Sequence, residues 1–145
     1  MKLDIKKLKD NAIIPTFGTE YSAGADLYAC IDENLVIKPG ETKLIPTGLS
    51  MAIPEGYGGF IYARSSLASK RGLAPANKVG VVDADYRGEV MVALYNQSNE
   101  EQTIEVNERI AQLIIAPFLK VEFNEVDALD ETVRGSGGFG STGTK

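Results

Sequence analysis

The chain is predicted to be all-β, a jelly-roll-like β-barrel with one short helical turn and a glycine-rich C-terminal arm. Apolar residues come in short runs rich in Val, Ile, Leu, Tyr and Phe, separated by Gly, Pro, Asn and Asp, which is the grammar of strands joined by turns. The 15 glycines and 6 prolines leave little uninterrupted room for helices. A length of 145 residues suffices for one domain that buries about two-thirds of its unfolded-chain surface, so a core needs no disulfide or metal staple.

The strands are expected at residues 35–37, 43–53, 57–62, 79–82, 90–95, 103–106, 110–119 and 121–123. Val90, Val92 and Leu94 alternate with Met91, Ala93 and Tyr95; both faces are apolar, as in a strand held between layers or at a subunit contact. Residues 65–70 have room for one helical turn, with Ser65 as its cap. Tyr21, Tyr57, Tyr95 and Phe118 read as core packing. The domain is expected to span residues 1–133, followed by a Gly/Ser tail at 134–145.

Composition narrows the chemistry. With no His and a single cysteine, Cys30, there is no intramolecular disulfide and no ordinary zinc ligand set. Ser–His–Asp and Cys–His nucleophile systems are also excluded, leaving carboxylates, Lys, Tyr, hydroxyls or a hard cation held by oxygen. A formal net charge of −5 predicts neither a general nucleic-acid binder nor a membrane-surface binder, both of which need a broad basic field. Residues 1–10 alternate charge with apolar side chains, unlike a signal peptide or membrane span. A cytoplasmic protein is expected, an organelle or viral origin remaining open.

Five segments carry chemical groups. In Ala23-Gly24-Ala25-Asp26-Leu27-Tyr28-Ala29, one carboxylate sits among small residues; it reads either as a buried turn with Asp26 bonded to backbone N–H groups or as a strand that a ligand approaches closely. In Ala63-Arg64-Ser65-Ser66-Leu67-Ala68, a guanidinium stands beside the N–H groups of Ser65 and Ser66 at the start of the helical turn. That is an anion site, or an ordinary cap with a surface arginine. Residues 77–89 bracket one apolar strand with Asn77, Asp83, Asp85, Tyr86 and Arg87. Asn77 has the donor and acceptor edge that a uracil-like base requires, and an Asp beyond the strand can orient water or a sugar hydroxyl; the alternative is a hairpin turned by Asp85 and Gly88. Gln112 is a polar amide among Ile110 to Ile115 and needs a backbone or phosphate partner. Finally, residues 134–143 combine Arg134, Phe139, Ser141 and Thr142 with glycines whose N–H groups can turn toward an anion. They form either a lid over an aromatic phosphate ligand or a disordered terminus.

In this order and spacing, AGADLYA, ARSSLA, NKVGVVDADYRGE, NERIAQL and RGSGGFGSTG resemble the five motifs of the homotrimeric deoxyuridine triphosphatases (dUTPases), over most of the chain. The resemblance implies Mg2+-dependent hydrolysis of dUTP to dUMP and pyrophosphate, in a homotrimer whose active sites are shared between subunits. It implies that Asp83 orients and deprotonates the water attacking the α-phosphorus and meets the 3′-hydroxyl, while Tyr86 packs on the sugar where a ribose 2′-hydroxyl would clash. Asn77 with the backbone of Gly80 and Val81 would read uracil. Arg64, Ser65, Ser66 and Gln112 would contact phosphates, and Asp26 would lie near a magnesium ion held mainly by triphosphate and waters. Arg134, Phe139, Ser141 and Thr142 would close the site, stacking on uracil and gripping the γ-phosphate.

Two positions depart from the family pattern. Ser66 stands where Gly is frequent, and Asn107-Glu108 where Gly-Asp is frequent; Asn107 can still take a left-handed turn. The related dCTP deaminases place a catalytic glutamate in the strand that here reads Val92-Ala93-Leu94, so deamination is not expected. A non-catalytic binding module is the alternative from a different class.

Overall fold

The computed structural model describes residues 1–138. Their elements, in order, are β1 (Asp4–Lys7), β2 (Thr16–Phe17), β3 (Ala25–Tyr28), β4 (Leu35–Ile37), β5 (Thr42–Pro46), β6 (Leu49–Ala52), β7 (Tyr57–Tyr62), α1 (Ser65–Arg71), β8 (Leu73–Pro75), β9 (Gly80–Val82), β10 (Met91–Asn96), β11 (Gln102–Ile104) and β12 (Arg109–Pro117). The expected all-β architecture with one short helix is what forms. A five-stranded sheet runs β2-β3-β12-β7-β9, a three-stranded sheet β5-β10-β8, and β1-β6 and β11-β4 make two-stranded ribbons. All these ladders are antiparallel.

The core lies between the sheets. Leu27 of β3, Ile45 of β5, Leu94 of β10, Ile104 of β11 and Ile110 of β12 are fully buried in one cluster. Along β10 the side chains of Val92, Leu94 and Asn96 point inward, while Met91, Ala93 and Tyr95 are half-buried; the period-two pattern thus reports a strand covered unequally on its two faces.

The structure corrects the sequence at several points. The run at 43–53 is two strands, because Thr47-Gly48 turns between them. Gly48 has φ +69°, and a Cβ there would sit 2.7 Å from Cys30 Sγ and 2.8 Å from the Ala12 Cβ, so no other residue fits. Residues 121–123 join no ladder, and Phe123 is 92% exposed. Strands β1, β2 and β8 were not expected, and β3 realises the strand reading of residues 23–29 in place of the turn. Ser65 opens α1 but does not cap it: the N-cap is Arg64, without a side-chain cap bond, and the Ser69 hydroxyl donates to the Ser65 carbonyl. Asn107 takes the left-handed turn expected of it, at φ +61°. Of the four aromatics read as core, Tyr21 is 91% exposed and Phe118 is also exposed.

One buried polar side chain ties three segments together. Asn96 donates from Nδ2 to the carbonyls of Ile37 and Glu100, at 2.9 and 2.7 Å. Its Oδ1 accepts from the Ser98 N–H and hydroxyl, at 2.9 and 2.7 Å. All four valences of the amide are used at a fully buried position. Replacement Asn96→Ala takes the amide donor from the carbonyl of buried Ile37 and is expected to destabilise the fold by about 3 kcal/mol, read as a lower urea midpoint at unchanged m.

Candidate active site

Two clefts hold most of the expected site residues, and they share none of their lining. The first, about 340 Å³, is lined by Asn77, Gly80, Val81, Asp83, Tyr86 and Glu89 together with apolar side chains that include Leu44, Ile61 and Val90. Its near wall is β9, paired to β7 in the register Gly59↔Val82, Phe60↔Val81 and Ile61↔Gly80. A Cβ at Gly80 would lie 3.3 Å from the Ile61 Cβ and 3.4 Å from Asn77 Nδ2, so glycine lets the amide close down on the strand. The loop before β9 is held by Lys78 in the left-handed region, φ +65°, with its N–H donating to the Pro75 carbonyl at 2.9 Å.

Beyond β9 the chain turns at Asp83, whose carbonyl accepts from the Tyr86 N–H at 3.2 Å. The alternative of a hairpin turned by Asp85 and Gly88 does not form, since β9 pairs with β7 while β10 pairs with β5 and β8. Residues 83–90 are instead bound to the turn at Gly48. Thr47 Oγ1 donates to the Val90 carbonyl at 2.6 Å, Ser50 Oγ to the Arg87 carbonyl at 2.6 Å, and the Gly48 N–H to Glu89 Oε1 at 2.8 Å. The Asp83 side chain is exposed, and its carboxylate accepts no hydrogen bond among the described residues. Such a group can take the proton of a bound water or hydroxyl.

The second cleft, about 330 Å³, is lined by Gly24, Asp26, Arg64, Ser65, Arg109 and Gln112, among others. Asp26 lies within β3, not in a turn, and its oxygens accept from Arg64 Nε at 2.7 Å and Arg109 Nη1 at 3.1 Å. This replaces the backbone pairing that the sequence suggested. One carboxylate aligns two guanidinium groups and leaves a cationic surplus suited to phosphate. Gln112 satisfies one side of its amide by donating to the Ala63 carbonyl at 2.8 Å. A Cβ at Gly24 would crowd the Gln112 side chain, reaching 3.1 Å from its Cδ and closer still to Oε1, so this glycine keeps the amide in place.

Ser66 is exposed on α1 and does not line the cleft; Arg134 lines neither cleft and donates from Nε to the Gly137 carbonyl at 2.9 Å. Phe139, Ser141 and Thr142 lie outside the described residues. Sequence reasoning missed Arg109 and Glu89, although both stand inside the quoted segments. Cys30 plays no part in either cleft: it is 2% exposed, and burial pushes its thiol up from the ordinary range. Val92 and Leu94 are buried in the core, with no acid at those positions.

Together these features define an all-β protein with one cleft that sets an amide and a carboxylate among apolar side chains and another in which two guanidinium groups share one carboxylate. The dUTPase family model matches residues 10–143. A deoxyuridine 5′-triphosphate nucleotidohydrolase of Nautilia profundicola is 52% identical over 143 residues, covering 99% of both chains. Among solved structures, Staphylococcus bacteriophage 80alpha dUTPase with dUPNHPP matches at TM-score 0.89 and 30% identity, covering 99% of each chain. The dUTPase of phage phi11 of S. aureus, described with a structural Mg(II) ion, matches at TM-score 0.79 and 26% identity over 88% of this chain and 98% of its own. The chain belongs to the dUTPase family, and is therefore a hydrolase.

Asp26→Asn removes the charge that holds both arginines. It is expected to cost about 2 kcal/mol in urea unfolding at low salt, with a smaller loss at high salt; equal losses at both would show that the pairing is not electrostatic.

Proposed function

We propose that the protein hydrolyses dUTP to dUMP and pyrophosphate by attack of water on the α-phosphorus, with Mg2+, keeping uracil out of DNA and supplying dUMP for thymidylate synthesis. The first cleft carries this reading: an amide edge, an exposed carboxylate and a phenol ring face one space large enough for a nucleoside. Asn77 and the backbone of Gly80 and Val81 bind uracil, Tyr86 lies against the deoxyribose, and Asp83 orients and deprotonates the attacking water. A positioned general base of this kind contributes about 10²–10⁴-fold.

Arg64, Ser65 and Gln112 bind the phosphates, and Arg109 adds a second guanidinium beside Arg64. Asp26 is the one carboxylate among the residues lining the second cleft, and both its oxygens already face arginines. No group of three or more Asp, Glu or Cys side chains gathers as a metal cage among the described residues. That donor set fits a hard ion carried in by triphosphate and waters, which Asp26 would meet through water. When bound, the ion offsets the charge that develops on the phosphate oxygens.

One nucleotide must meet both clefts, and on a single chain they share no residue. We therefore read the assembly as a homotrimer whose sites draw on more than one subunit. The chain after β12 supports this, since Leu119, Phe123 and Leu129 are 91%, 92% and 85% exposed and await a surface. Residues 134–145 act as a tail separate from the domain at 1–133; Arg134, Phe139, Ser141 and Thr142 close over uracil and the γ-phosphate. The substrate belongs to the nucleotide pool, which is the ground for a cytoplasmic location.

Pyrophosphate release is to be measured on dUTP, dCTP, dTTP and UTP, with and without Mg2+; turnover confined to dUTP and dependent on the ion is expected. Asp83→Asn should bind dUTP with the parent's affinity and lose at least about 10²-fold in kcat; undiminished kcat removes Asp83 from the mechanism. Truncation after Val133 should leave the melting temperature unchanged and abolish most activity. Full activity of the truncated chain would refute the closing tail.

A further inference from the structure

We propose that Gly88 is a positioning residue for sugar selection, because its missing side chain is the space in which the Tyr86 ring rests. The inference deepens the reading of the first cleft as the deoxynucleoside site. A Cβ at position 88 would lie 2.5 Å from Tyr86 Cζ and 2.9 Å from Cε2, distances that no real Cβ tolerates. Gly88 is not among the glycines with positive φ. Glycine is required here for room alone, and alanine brings no backbone strain.

The backbone on both sides of Gly88 is pinned by hydrogen bonds. Arg87 and Val90 have their carbonyls bound to Ser50 and Thr47, both at 2.6 Å, the Val90 N–H donates to the Leu49 carbonyl at 2.8 Å, and the Glu89 carboxylate is bound by the Gly48 N–H. The ring, 46% exposed, is what moves. In its present place the Tyr86 hydroxyl donates to the Glu89 carbonyl at 2.9 Å. That bond spends the single phenol proton, so the ring cannot donate to an incoming 2′-hydroxyl. Held by a hydrogen bond at its tip and packed on a bare Cα, the ring presents an apolar surface at a fixed depth in the cleft. Rejection of a ribose then depends on contact at that depth, where a displacement of about 1 Å is enough to lose it.

The test is kcat/KM for dUTP and for UTP in the parent, Gly88→Ala and Tyr86→Phe, with thermal melting of each. Gly88→Ala is expected to melt with the parent, to keep kcat on dUTP within about threefold, and to lower the dUTP:UTP ratio by about tenfold or more through a lower KM for UTP. Tyr86→Phe keeps the ring and loses its tether, and should lower the ratio in the same direction by less. A Gly88→Ala protein that folds and discriminates as the parent does overturns the proposal. If Gly88→Ala does not fold, an unchanged ratio in Tyr86→Phe overturns it and a lowered one supports it. A parent that leaves dUTP uncleaved defeats the functional reading itself, and with it this proposal; that outcome is told apart because it appears before any substitution.

Discussion

The turn at Gly48 is where the separate ribbons and sheets become one molecule. Its left-handed backbone packs without a side chain against Cys30 and Ala12, and its carbonyl accepts from the Leu8 N–H at 2.7 Å. Its own N–H faces Glu89, while Thr47 and Ser50 on either side bind Val90 and Arg87. A single tight turn thus fastens the N-terminal segment, the β5-β6 connection and the loop bearing Asp83 and Tyr86. These bonds exploit backbone groups that a longer turn would leave to water, so the geometry of the first cleft is inherited from a position outside its lining.

The second cleft has a different logic. Two guanidinium groups side by side repel, and Asp26 overcomes this by accepting from both. The arrangement keeps Arg64 and Arg109 close to one carboxylate, so the phosphate proposed to bind there would meet donors already aligned, with little rotamer entropy left to lose. At the far end of α1, Arg71 reaches Glu108, Gln102 and the Thr103 carbonyl. The helix that begins beside Arg64 is therefore fixed at both ends, and to the same β11-β12 connection that leads into Arg109.

How much of this could be read from the residues depended on sequence distance. Asn77, Asp83 and Tyr86 fall within one short segment, so their meeting in a cleft was legible from spacing. Arg109 was passed over because its partner Asp26 is 83 positions away, a separation that only the β3-β12 pairing closes. Strands with Val, Ile and Leu in runs were legible. β1, in which three of four residues are charged, and β8, which ends in proline, form because neighbours pair with them and not by propensity. Residues 121–123 failed in the opposite sense: their alternation suits a strand, but no strand among the described residues pairs with them. The hydroxyl of Ser65 was given a capping role that its backbone position forbids, since the helix boundary falls one residue earlier, at Arg64.

The uncovered stretch after β12 has a thermodynamic consequence. In the proposed homotrimer, side chains such as Leu119 and Phe123, left in water by an isolated chain, would gain their burial energy through association, a gain that scales with the logarithm of how much protein is present. On that reading, resilience to heat or urea would belong to the solution as well as to the polypeptide, and dilution alone would be a denaturing stress.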